Sequence, residues 1–113
     1  MRLHVYNERT LKRFNKLKDK YSKIVIKYHM DGCGHCEQFK STWKQCTLKA
    51  NNKKILLVNL NRSILDSPNL DKKFKQIIGF PTIKLFTKKN NRFNVKTFKK
   101  ERSKKNVIKF MKS

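Results

Sequence analysis

The sequence predicts a single α/β domain, a mixed central sheet with helices on both faces, in the order β-α-β-α-β-α-β-β-α. Three observations carry this. Two runs, Ile24-Val25-Ile26-Lys27-Tyr28 and Ile55-Leu56-Leu57-Val58-Asn59-Leu60, are apolar on almost every position, the pattern of strands covered on both faces. Stretches with helical spacing lie between the strands, so successive strands are joined by crossovers and run parallel. Near the end, Lys88-Lys89-Asn90-Asn91 separates two strand-like runs, and a hairpin there adds an antiparallel part. The 113 residues suffice for one modest core and one domain, residues 1–113.

Residues 2–6 alternate as a short first strand. Asn7 is placed to cap a helix whose apolar face is Leu11, Phe14, Leu17 and Tyr21. Ser22-Lys23 breaks it, and Ile24 to Met30 forms a central strand interrupted only by Lys27. A second helix runs from the cysteine motif to about Lys49, with Phe39, Trp43 and Cys46 as its buried stripe and Lys40, Lys44 and Lys49 outside. Asn51-Asn52 turns the chain into the strand Ile55–Leu60. After a polar connection, Asn69 to Ile78 carries Leu70, Phe74, Ile77 and Ile78 at helical spacing. It reads as a third helix ended by Gly79 at C′. Phe80-Pro81-Thr82 opens a strand, Ile83 to Phe86; Arg92 to Phe98 returns, with Phe93, Val95 and Thr97 on one side. Ser103 caps a last helix with Val107, Ile108 and Met111 inward and Phe110 flanking.

The net charge of +23 comes from 30 Lys and Arg against 7 Asp and Glu, and 24 of the cations are lysine. They are spread through every segment and accompany many Asn, Ile and Phe, the residues of A/T-rich codons. Compositional bias on tolerant surface positions accounts for that better than a dedicated patch. Non-specific attraction to polyanions at low salt is expected. No run approaches membrane-spanning length. The N-terminus lacks the apolar stretch of a signal peptide, so the expected compartment is the reducing cytoplasm. Three cysteines are too few and too clustered for a disulfide-stapled scaffold.

The chemistry concentrates in Asp31-Gly32-Cys33-Gly34-His35-Cys36. Two cysteines separated by two residues can exchange electrons, hold a metal or fill space. Between a strand and a helix, the first sulfur falls at the helix N-terminus. Free N–H groups and the helix dipole favour a thiolate there. A zinc site needs four ligands, and only Cys46 and scattered histidines are available to complete one. Cys46 reads as a small buried hydrophobe. Trp43 belongs to the core, His29 and His4 to the strands, and the Lys99–Lys105 cluster to a solvated face.

With this order of elements, with Cys33-Gly34-His35-Cys36 closing a strand, and with Gly79-Phe80-Pro81-Thr82 placed 45 residues later, the chain resembles the thioredoxin superfamily over nearly its whole length. Gly34-His35 between the cysteines resembles protein disulfide isomerase domains, as does the tail Thr97-Phe98-Lys99-Lys100-Glu101-Arg102 leading to Val107-Ile108-Lys109-Phe110. The resemblance implies a thioredoxin-like fold, a cis bond at Phe80–Pro81, and thiol–disulfide exchange on protein substrates by a monomer, with no cofactor and no metal. Cys33 would attack, Cys36 would resolve, and a His35 imidazole beside the thiolate would favour the reduced pair. Gly32, Phe80, Pro81 and Thr82 would meet the substrate chain. The lysine- and asparagine-rich composition is similar to that of thioredoxin-like proteins of large DNA viruses, which implies virion proteins as substrates and a place in the virion.

Three positions depart from the family. Gly32 stands where the family has tryptophan, behind Asp31, whose charge would raise the Cys33 pKa if close. Lys27 stands where the family has a buried acid that accepts the Cys36 proton. A charged lysine cannot take that proton, so slower resolution, or a route through water or His29, is expected. Ser41 replaces a helix-kinking proline. Beside the oxidoreductase reading stand a non-catalytic binding module with a basic surface for nucleic acid or an acidic partner, and a zinc protein.

Overall fold

The computed structural model describes all 113 residues and contains five strands and three α-helices: β1 Arg2–Val5, α1 Glu8–Leu17, β2 Lys23–His29, α2 Gly34–Ala50, β3 Ile55–Asn61, β4 Thr82–Lys89, β5 Arg92–Thr97 and α3 Lys104–Met111. The sheet order is β1-β3-β2-β4-β5. β3 pairs in parallel with β1 and with β2, so α1 and α2 are the crossovers that parallel pairing requires. β4 runs antiparallel to β2 and to β5. The hairpin turn between β4 and β5 has Asn90 and Asn91 at φ of 53° and 63°. That is the conformation a tight two-residue turn demands and asparagine tolerates.

Side chains alternate across each strand and so feed two separate cores. On one face Ile24, Ile26 and Tyr28 of β2 join Leu56, Val58 and Leu60 of β3 under Leu11 and Phe14 of α1. On the other, Val25, Leu57, Ile83 and Leu85 pack against Phe39, Trp43 and Cys46 of α2 and Val107 and Met111 of α3. Lys27 shares the face of Val25 and therefore points under α2. Asn7 caps α1 by accepting the Thr10 N–H at 2.9 Å while Thr10 Oγ1 accepts the Asn7 N–H at 3.0 Å. Ser103 caps α3 through the Asn106 N–H.

The expected helix over Asn69–Ile78 does not form. The segment makes one 3₁₀ turn, Lys72–Phe74, capped by Asp71, and continues without regular structure. Ten residues with three lysines and two β-branched isoleucines give a weak helix whose nucleation must be supported by packing. Here packing and side-chain bonds favour another path. Lys75 Nζ donates to the Ser67 carbonyl at 2.7 Å, and Lys84 Nζ donates to the Gln76 carbonyl. Gly79 consequently ends no helix. Leu70 and Phe74 are buried as the spacing implies, Ile77 only packs at the edge of the core, and Ile78 is fully exposed.

Phe74 nonetheless fills the centre of the α1-side core. Its ring lies 5.3 Å from Phe14, 4.9 Å from Phe86 and 6.1 Å from Phe93. The Tyr28 hydroxyl donates to the Phe74 carbonyl at 2.7 Å in the dry interior. Phe93 is half-buried in this cluster, while Val95 and Thr97 lie exposed on edge strand β5. Val107 and Met111 form the inner face of α3, and Phe110 stacks on Phe98 at 5.3 Å.

Candidate active site

β2, the central strand, ends at His29, and α2 starts at Gly34. Between them the backbone turns through Gly32 at φ +76°. An L side chain in that left-handed conformation carries a penalty of roughly 1–2 kcal/mol. This explains glycine where the thioredoxin pattern has tryptophan: the local turn, and not crowding, selects it, since a Cβ at Gly32 would meet no atom within 4 Å.

Cys33 is the N-cap residue of α2. Its Sγ accepts the Cys36 N–H at 3.2 Å and lies 3.8 Å from the Phe80 carbonyl oxygen, to which the thiol can donate. Both cysteines are largely buried, Cys33 at 9% exposure and Cys36 at 5%. Their environments drive them apart. The Cys33 pKa is held below the usual thiol value, first by the hydrogen bond from the Cys36 side chain, then by the backbone N–H groups of Cys36 and His35 and the charge of Arg102; burial opposes these. The Cys36 pKa is raised, first by burial and then by its bond to Cys33. One thiol is thus poised to be an anion and the other to keep its proton.

The residues singled out in the sequence fall into two groups. Cys33, Cys36, Phe80 and Pro81 converge, and the Phe80–Pro81 peptide bond is cis. Thr82 follows at the start of β4, its Oγ1 donating to the Gly79 carbonyl at 2.6 Å. Gly34 opens the helix. His35 contributes its backbone N–H to the Cys33 thiolate and is itself exposed. Asp31 is exposed and accepts from Asn61 Nδ2 at 3.3 Å, and its charge acts on His29 and His4. His29 sits beside His4, ring centroids 5.4 Å apart, with Nδ1 buried and unpartnered. Burial, then the charges of Lys27 and His4, press its pKa down to about 4. Arg102 is the contributor that the sequence conceals, because only tertiary folding brings it to Cys33.

Lys27 lies under α2, 2% exposed. Its Nζ is 5.6 Å from the Trp43 ring centroid and 6.0 Å from that of Phe39. Ser41 sits within an uninterrupted α2. Cys46 is fully buried, its Sγ 3.7 Å from the Lys104 carbonyl, and burial raises its pKa.

The strand–Cys-x-x-Cys–helix unit facing a cis-proline loop sits on a five-stranded sheet, and the thioredoxin family profile matches residues 5–113. The chain belongs to the thioredoxin family. Among solved structures, this thioredoxin domain is similar to the J-Trx1 fragment of ERdj5, with a TM-score of 0.72, 14% identity, and coverage of 96% of this chain and 49% of that one. It is similar to the first thioredoxin domain of mouse protein disulfide-isomerase A4 (TM-score 0.68, 20% identity, 96% and 71% covered). It is also similar to the germline-specific thioredoxin Deadhead of Drosophila melanogaster (0.67, 17%, 96% and 95%). The chain spans about half the length of the ERdj5 fragment. No curated protein matches it in sequence. The structural likenesses describe the fold. No helix is long and apolar enough to cross a membrane.

Proposed function

We propose that this domain is a thiol–disulfide oxidoreductase acting on protein cysteines. The observation that carries the reading is the opposite tuning of the two thiols, with Cys33 lowered at the α2 N-cap and Cys36 raised beside it. A disulfide exchange needs this division. The Cys33 thiolate attacks a substrate disulfide and forms a mixed disulfide; Cys36 then displaces the substrate thiol and closes the Cys33–Cys36 bond. In reverse, the pair oxidises a client dithiol. The Phe80 backbone, facing Cys33, offers pairing to an extended substrate segment, as strand addition at a sheet edge does. Pro81, Thr82 and Gly32 are the further residues proposed to meet that segment.

The direction of exchange is read from the potential. Stabilising the Cys33 thiolate through N–H donors and Arg102 favours the reduced pair and makes the disulfide the stronger oxidant. Equilibration with glutathione is expected to place the couple nearer about −180 mV than about −270 mV, on the isomerase side of the thioredoxin range. Refolding of a scrambled disulfide protein should then be accelerated more than insulin reduction. A potential at or below the lower value, or no turnover of either substrate, would defeat the proposal.

The net charge of +23 is met by a single ion pair, Lys73 to Asp71 at 3.8 Å. Protein substrates with acidic segments are therefore drawn in at low ionic strength, with a steep fall in on-rate as salt is added.

A further inference from the structure

Lys27 is the buried ionisable group that the exchange as described leaves idle. Three features place it in the reaction. It lies on the face of β2 that carries Val25, beneath the face of α2 that carries Cys36, Phe39 and Trp43 one and two turns apart. It forms no ion pair and no hydrogen bond with another side chain; the partners of its head are the ring faces of Trp43 and Phe39, weaker than the carboxylate that burial of a lysine ordinarily demands. It also lines a cleft with Arg2, His4, Glu37, Lys40 and Asn59, which leads from beneath the helix to solvent. We propose that neutral Lys27 is the proton acceptor for Cys36 in the resolving step, directly or across one bridging water.

The inference rests on the exchange chemistry proposed above. At the mixed-disulfide stage Cys36 carries a thiol proton. The Lys27 amine takes that proton and becomes ammonium. The Cys36 thiolate attacks Cys33 Sγ, a Cys33–Cys36 bond forms, the bond from Cys33 to the substrate sulfur breaks, and the substrate leaves as a thiolate. The cysteine pair is oxidised by two electrons and the substrate disulfide is reduced by two. The proton passes from Lys27 through the cleft to water or to the leaving thiolate.

The surroundings suit an amine that cycles. Burial is the main cause that brings Lys27 down to about 8, with Lys40 adding to it, while a Cys36 anion and Glu37 oppose it. His4 and Arg2 across the cleft, and His29 on the same strand, add no negative charge; Asn59 is the register partner of Lys27 on β3. A useful fraction of Lys27 is therefore neutral near physiological pH, where an ordinary lysine is not. His29, pressed to about 4, is too weak a base for the task. The expectation that a lysine at this position obstructs proton transfer holds only for its charged form.

Reaction with 5,5′-dithiobis(2-nitrobenzoate) tests this without a protein substrate. Cys33 releases one nitrothiobenzoate on modification, and Cys36 releases the second on resolution. In the wild type the second phase should accelerate with pH through an inflection near 8. Lys27→Arg keeps the positive charge but holds its proton, and Lys27→Met removes both. Each should slow the second phase at pH 7.5 by about 10²-fold, the scale of general-base catalysis. Each should also move the inflection above the ordinary thiol range, where Cys36 titrates unaided. A wild-type rate in Lys27→Arg would show that the charge alone matters and overturn the proposal, as would a flat wild-type profile. Folding provides an independent readout. Between about 8 and 10.5 the unfolded chain binds the Lys27 proton and the folded chain does not, so urea stability should rise with pH in the wild type relative to Lys27→Met. No such difference would overturn the proposal even if the protein exchanges disulfides well, whereas failure on protein substrates with both readouts intact would strike only the oxidoreductase reading.

Discussion

Cys36→Ser is expected to convert the domain into a trap. The Cys33 thiolate keeps its N-cap position and its N–H donors from the first turn of α2 and still attacks a disulfide, but nothing remains to release the product. Covalent complexes should accumulate on non-reducing gels and collapse on addition of dithiothreitol. Cys33→Ser should give neither complexes nor turnover above background, because Cys36 is buried and its thiol is biased toward the protonated form. Cys46→Ala should leave both behaviours unchanged, since its sulfur lies in the α2–α3 core. Complexes formed equally well by Cys33→Ser would mean that the order of attack assigned here is reversed.

Phe74→Ala is expected to cost about 3–5 kcal/mol, measured by urea denaturation. Its ring packs against Phe14, Phe86 and Phe93 at the centre of one core. Against a total stability of about 5–15 kcal/mol for a domain, this approaches unfolding. Ile78→Ala, four residues on in the same segment, should change stability by less than about 0.5 kcal/mol, because that side chain is wholly in solvent. Equal costs at the two positions would mean that the segment packs as the helix its spacing suggests.

That pair of residues shows where sequence reasoning succeeds and where it stops. Strands β2 and β3 are legible because a buried parallel strand admits few residue types, and α1, α2 and α3 because caps and apolar stripes agree. Asn69–Ile78 satisfies the same periodicity, but periodicity does not register what else competes for the backbone. Lys84 claims the Gln76 carbonyl there and Lys75 reaches out of the segment to the Ser67 carbonyl, facts written in no local pattern. The site divides similarly. Cys33, Cys36 and Pro81 stand out by spacing. Arg102 does not, because nothing local ties it to a residue near the other end of the chain. For His35 the spacing locates the backbone N–H at the start of α2, the group that the fold turns toward Cys33. Lys27 is visible as an anomaly on a buried strand; its depressed basicity comes from burial, which only the packing of α2 over β2 produces.

Cys33 caps α2, a cap is part of what keeps a helix folded, and under the proposed exchange this cap changes chemical state with every turnover. When Cys33 closes a disulfide, α2 exchanges a cap whose ionisation the helix terminus favours for a sulfur that carries no charge. A thermodynamic cycle then joins two quantities usually measured apart. What the helix terminus contributes to the thiolate adds to the stability of the reduced fold relative to the oxidised one, alongside the constraint the disulfide places on the unfolded chain, and the net difference in denaturant equals the difference in oxidising power between the native disulfide and the same disulfide in the unfolded chain. Folding stability in the two redox states is thus a second scale on which the driving force of the domain can be weighed.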